Sequence, residues 1–171
     1  MRFEYKESDY EKGVVLKVHS EGDWAEYADS RRSGSRGIAT ITGGVVKSWS
    51  NRQASEATFS GEVEYYAVVK ACAEALKILG VAKDLGWYAK IQIYADSSDA
   101  RAIATRSGLK RARHMEVRYL WIQEVVSKKR LVILKINGKA NPADVLTKSM
   151  SRVLAESLLR PVGVVFEKAT K

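Results

Sequence analysis

Residues Gly37 to Thr42 read GIATIT, residues Val45 to Trp49 read VVKSW, and Gly43-Gly44 stands between them. Two β-rich runs joined by a two-glycine turn fold back side by side as an antiparallel hairpin. The alternating run Val14 to His19 (VVLKVH) precedes them with no helix in between and predicts a first strand of the same meander. Beyond the hairpin the punctuation changes. A polar loop leads into a helix from about Gly61 to Leu79, with Gly80 as its stop. Lys90 to Asp96 (KIQIYAD) predicts a fourth strand running into a helical DSSDARAIATRS, and a basic helix covers roughly Ala112 to Lys128. Leu131 to Ile136 (LVILKI) predicts a fifth strand, followed by a helical turn at Ala143 to Lys148. A last helix, Ser151 to Leu159, is stopped by Arg160-Pro161. Strands separated by helices demand parallel crossovers. The expectation is an α/β fold with a five-stranded mixed sheet: strands one to three antiparallel, strands one, four and five parallel, helices flanking.

At 171 residues the chain suffices for one well-cored domain, and no linker or repeat divides it. Residues 1–12 read as the remnant of an upstream connection and residues 160–171 as a tail. No apolar run approaches the roughly 20 residues needed to cross a bilayer, so no membrane partner is expected. The charged start lacks a signal peptide's apolar core. Cys72, the single cysteine, sits in an apolar helical pattern, which fits a reducing intracellular, cytoplasmic setting. The formal net charge of +9 favours a polyanionic partner. That charge is uneven. Residues 1–30 hold eight acids against four bases, whereas residues 106–130 hold eight bases against Glu116 and Glu124.

The acids fall at element ends. Glu21 and Asp23 close the first predicted strand, Asp96 closes the fourth, Glu62 and Glu64 open the long helix, and Asp144 opens the turn after the fifth strand. In open α/β sheets the crevice at the carboxyl ends of neighbouring strands is where ligands bind. Helical stepping from Glu64 meets Ala67/Val68, Ala71, Ala75 and Ile78/Leu79, so Glu64 heads the stripe that must lie on the sheet. Glu62 shares a side with Lys70 and Lys77 and is expected to face water. Converging carboxylates repel one another unless a cation joins them. A pair of hard divalent ions about 3.5–4 Å apart resolves that repulsion and can clamp a phosphodiester.

In order, the chain carries GDWAEYADSRRSGSRG, VVKSWSNRQ, FSGEVEYYAV, IYADSSDARAIA, RHMEVRYLWIQE and NPADVLTKSM. Each is weak alone. Six in succession, with the right elements between them, resemble the ribonuclease H domain of copia-type LTR retrotransposon polyproteins from about Gly13 to Ser151. The resemblance implies a ribonuclease H-like fold and four catalytic, metal-binding acids. In the family the first strand ends Ser/Thr-Asp-Ala-Asp-Trp-Ala, with the first aspartate as ligand; here that position holds Glu21, and Asp23 matches the second acid. The family's Glu-Ala-Glu-Tyr ligand matches Glu64, its strand-closing aspartate matches Asp96, and the aspartate of Ala-Asp-hydrophobic-Leu-Thr-Lys matches Asp144.

The sequence departs from the pattern at Glu21, one methylene longer than the usual aspartate. Either Glu21 coordinates with its longer arm or Asp23 swings in instead. On the resemblance alone, shortening Glu21 to aspartate is expected to raise the rate. The loop NGKANP lacks the histidine many cellular ribonucleases H carry there. His114 matches a family histidine that is not a ligand; it reads as a surface or packing residue, and His19 as structural.

The implied activity is endonucleolytic cleavage of the RNA strand of RNA–DNA hybrids with two Mg²⁺ ions, for which Mn²⁺ substitutes. The other reading is a module that binds hybrid or duplex without cutting. Ser60 and Ser98, at helix starts, are candidates for reading 2′-hydroxyls across the minor groove, with helix capping the alternative. Lys110, Arg111 and Arg113 are candidates for phosphate contacts. Trp49 reads as core. The resemblance implies a reverse transcriptase domain in the same polyprotein as partner, a monomeric state, and a place within a retrotransposon particle.

Overall fold

The computed structural model describes residues 2–3, 14–27, 32–54, 57, 59–106 and 120–167. Its strands are β1 (Arg2–Phe3), β2 (Val14–Tyr27), β3 (Arg32–Ile41), β4 (Gly44–Arg52), β5 (Ala89–Ala95), β6 (Val132–Lys135) and β7 (Val164–Val165). Its helices are α1 (Ser60–Asp84), α2 (Ser98–Thr105), α3 (Trp121–Ser127) and α4 (Arg152–Leu159). The main sheet runs β4-β3-β2-β5-β6. β3 is antiparallel to both its neighbours, while β2–β5 and β5–β6 are parallel. This is the mixed α/β sheet expected from the punctuation. β1 pairs with β7 in a separate two-stranded sheet, so Arg2–Phe3 meets the segment after α4.

The hairpin turn falls one residue earlier than the glycine pair predicts. Thr42 (φ 48°) and Gly43 (φ 80°) are both left-handed, and Ile41 pairs with Gly44. A two-residue hairpin turn of this hand needs both central residues at positive φ. The register that buries Ile41 delivers Thr42, not Gly44, to the first of those places. Helix α1 passes through Gly80 and ends four residues later. Gly86, at φ 82°, supplies the stop: its N–H donates to Lys83 O (2.9 Å) and that of Trp87 to Ala82 O (2.8 Å).

α1 covers one face of the sheet. Tyr65, Val68, Ala71, Cys72 and Ala75 are buried against Leu16, Val18, Ala39, Ile91 and Ile93. Trp49 belongs to the same core; its ring occupies the space beside Gly37, where a Cβ would come within 2.2 Å of it. Glu62 corrects the helical reading. It is 2% exposed and accepts a hydrogen bond from the Tyr66 hydroxyl. The cause is α2, which packs on the first turn of α1: a Cβ on Gly61 would lie 3.1 Å from Asp99 Cβ. A face that an isolated helix shows to water is thus covered by a later element. Lys70 and Lys77 instead bind Glu74 at 2.9 and 3.3 Å, with Lys47 of β4 at 2.6 Å, which tethers α1 to the edge strand. Among the described residues no helix is long and apolar enough to cross a membrane.

The basic helix expected from Ala112 appears as α3 from Trp121 onward; Lys110, Arg111, Arg113 and His114 lie outside the described residues. After β6 the chain makes two short 3-10 turns, Gly138–Ala140 and Pro142–Leu146. α4 starts at the Ser151 cap, whose Oγ accepts from Leu154 N.

Candidate active site

The first acid is not at a strand end. β2 continues to Tyr27 because β3 reaches back to Arg32, pairing Glu21 with Arg36 and Asp23 with Gly34. What stops is the other ladder: β2 and β5 last pair at His19 and Tyr94. Glu21 therefore emerges where the sheet opens on one side, next to the end of β5 and Asp96. α1 closes the opening from its N-terminal end. A Cβ on Gly22 would lie 3.1 Å from the Glu64 backbone nitrogen and 2.9 Å from Val63 Cγ1, so only glycine lets strand and helix approach this closely.

These three elements bring carboxylate oxygens of Glu21, Glu64 and Asp96 within 4.8 Å of one another. Glu21 is 8% exposed; Glu64 and Asp96 are half-buried. Asp144, on the turn Pro142–Leu146, adds a fourth acid, near enough for its charge to raise the pKa of Glu21. Asp23 stands apart. Its carboxylate lies 3.8 Å from Nη1 of the buried Arg36.

Burial and crowding have the expected electrostatic effect. Glu21 is pushed up to about 9, first by burial, then by the charges of Glu64, Asp144 and Asp96. Glu64 is pushed up to about 8 by burial and Asp96, against the Gly22 N–H, which donates to Oε2 at 3.2 Å and favours the ionised form. Asp144 is also raised by burial, while Lys148, with Nζ at 3.9 Å, holds it down. Near neutral pH, without metal, Glu21 and Glu64 thus keep protons that ordinary carboxylates release. Several hard oxygen donors at one spot, partly desolvated and held as acids by mutual repulsion, are the donor set that divalent cations of the Mg²⁺ class prefer.

Around the acids the chain is closely fitted. Asn141, fully buried, donates through Nδ2 to Glu21 Oε2 (2.8 Å) and to Ser20 O (3.0 Å). Gly138 presses its backbone on Asp96, where a Cβ would come 2.9 Å from Oδ2. Ser60 and Ser98 are exposed first residues of α1 and α2, and neither is a cap. α2 is capped by Ser97, whose Oγ accepts from Ala100 N at 3.1 Å; α1 starts after Phe59 with no side-chain cap. His19 is buried and stacked on Tyr94 at 5.0 Å, its pKa lowered to about 4 by burial and Lys17. It is a packing residue. Asn141 and Arg36 lie within segments that carry the resemblance, but nothing local singles them out, because each gains its significance from a partner on another strand or loop.

No family model matches the chain. It is 33% identical over 152 residues to the retrovirus-related Pol polyprotein from transposon TNT 1-94 of Nicotiana tabacum, and 29% identical over 160 residues to that from transposon RE2 of Arabidopsis thaliana. The alignments cover 88% and 90% of this chain but 11% of each polyprotein. Among solved structures the fold is similar to that of a ribonuclease H1 isolated from compost, with a TM-score of 0.51 and 14% identity over 78% of this chain and 91% of that one. It is also similar to the N-terminal ribonuclease H domain of a Mycobacterium tuberculosis protein, with a TM-score of 0.50 and 9% identity over 86% and 98%. Kinship in sequence and likeness in fold converge: the chain is a ribonuclease H-fold domain of the kind found in copia-type retrotransposon polyproteins.

Proposed function

We propose that this domain is a divalent-metal-dependent endonuclease that cuts the RNA strand of RNA–DNA hybrids, with Glu21, Glu64, Asp96 and Asp144 as its catalytic, metal-binding acids. The observation that carries the reading is the meeting of Glu21, Glu64 and Asp96 oxygens within 4.8 Å, with the charge of Asp144 felt at Glu21. Two Mg²⁺ or Mn²⁺ ions bound there would supply the Lewis acidity that activates the attacking water and stabilises the leaving oxygen. The chain's own part is to hold the four carboxylates ready, to seat Glu64 on the Gly22 N–H, and to keep Asp23 paired with Arg36. Ser60 and Ser98, exposed at the starts of α1 and α2, would meet 2′-hydroxyls. Lys110, Arg111 and Arg113 serve as phosphate contacts in the same reading. The domain would act as a single copy alongside a polymerase domain of the same polyprotein, inside the cell or the element's particle.

The test is direct. A labelled hybrid incubated with Mg²⁺ or Mn²⁺ is expected to be cut in its RNA strand only. Asp96→Asn is expected to abolish cleavage, a loss of at least about 100-fold, while hybrid affinity stays the same or rises because one negative charge facing phosphate is gone. Turnover by that variant at the parent rate would refute the scheme. One observation favours a second reading: Glu21 stands where the resemblance expects aspartate. Tight hybrid binding with no cleavage under either ion would assign the domain to a binding role instead.

A further inference from the structure

We propose that Asn141 is a positioning residue for the acid cluster, and that it sets the carboxylate length the site requires at position 21. The proposal rests on reading that cluster as a metal site. Asn141 is fully buried and stands 120 residues from Glu21 in the chain. Its one planar amide ties three parts of the fold together. Nδ2 spends one N–H on the β2 backbone at Ser20 O (3.0 Å) and the other on Glu21 Oε2 (2.8 Å). Oδ1 accepts from Ala143 N (3.2 Å) and so caps the turn that carries Asp144.

Both donors and the acceptor are committed in fixed directions, and the group has no water-exposed surface into which it could relax. The position of the Glu21 carboxylate relative to the Asp144 turn therefore follows from the Asn141 amide, as hydrogen bonds from neighbouring groups orient metal ligands elsewhere. Aspartate at position 21 would end about one C–C bond, ~1.5 Å, short of this contact. Its oxygen would withdraw from Nδ2, and a buried N–H would be left without an acceptor. On this reading aspartate at position 21 weakens the site, the opposite of what the resemblance alone implies. In this chain glutamate is the length that Asn141 holds.

The experiment titrates Mn²⁺ by electron paramagnetic resonance, with melting temperature and hybrid cleavage measured on the same samples. Glu21→Asp and Asn141→Ala are each expected to weaken Mn²⁺ binding by about 10–100-fold and to slow cleavage. The double variant Glu21→Asp/Asn141→Ala is expected to lose little more affinity than either single variant, because both remove the same contact. Because Asn141→Ala also removes the cap on Ala143, Glu21→Asp, which leaves the turn intact, is the deciding variant. A merely structural asparagine would lower the melting temperature and leave Mn²⁺ affinity untouched. Equal or tighter Mn²⁺ binding by Glu21→Asp overturns the proposal. If the parent binds and cuts while Glu21→Asp and Asn141→Ala match it, the role of Asn141 alone falls. If the parent itself binds no Mn²⁺, the metal reading falls with it.

Discussion

At Glu64 two neighbours pull in opposite directions: burial and Asp96 favour the proton, the Gly22 N–H favours the charge, and the proton wins at about 8. An unfolded chain releases the same proton near pH 4.5. Between those values the folded, metal-free protein binds more protons than the unfolded one. The contribution of this group to stability is therefore fully present below about pH 4.5 and is lost as pH rises towards 8. Glu64→Gln, which keeps the acceptor for Gly22 and never ionises, is expected to melt higher than the parent in EDTA at pH 8. At pH 4 the two should melt together. Mn²⁺ should invert the order at pH 8, because the ion rewards the ionised parent; thermal melts followed by circular dichroism decide it. A lower melting temperature for Glu64→Gln in EDTA at pH 8 would contradict this electrostatic account. Glu64 was legible because helical periodicity alone puts it at the head of the buried stripe. Glu62, two residues earlier, was misread as solvent-facing because the helix that covers it lies outside any window around it.

The long helix and the hairpin show what a glycine signals and what it does not. Gly80 looked like a stop, yet α1 continues because the sheet-facing stripe does, through Ile78, Leu79 and the buried Ala82. Extending that burial outweighs the roughly 1 kcal/mol that glycine costs a helix. Nothing lies within 4 Å of the Cβ position at Gly80, which is exposed. Gly80→Ala is accordingly expected to stabilise the protein by about 0.5–1 kcal/mol in urea denaturation. Gly37 is the opposite case. A methyl group there would meet the Trp49 ring at 2.2 Å, and Gly37→Ala is expected to destabilise by about 1–3 kcal/mol through overpacking. If both substitutions shift the urea midpoint the same way, the distinction between an open and a filled site is wrong. The hairpin was readable and its turn was displaced by one residue for a related reason: turn chemistry announces a reversal, while packing of Ile41 chooses the register.

For the molecule as a whole, an acid cluster sits within a chain of net charge +9. In the proposed reading the excess of lysine and arginine draws in a polyanion, and the cluster of Glu21, Glu64, Asp96 and Asp144 meets it at the cutting site. If binding neutralises about four phosphates, hybrid affinity measured by fluorescence anisotropy should fall by about 100-fold between 50 and 200 mM salt. A flat salt dependence would remove phosphate contacts from the account. The order of the main-sheet strands, the antiparallel-then-parallel sheet and the nearness of Glu21 to the end of β5 could be worked out from the sequence, since strand alternation, helix stepping and turn chemistry are local patterns. Local patterns say nothing of which distant surfaces come to touch. The continuation of β2 past Glu21, the covering of Glu62 by α2, the pairing of Asp23 with Arg36 and the seating of Glu21 by Asn141 were settled only when the elements packed. Their partners lie on other strands, helices or loops, up to 120 residues away, and only tertiary packing brings them together.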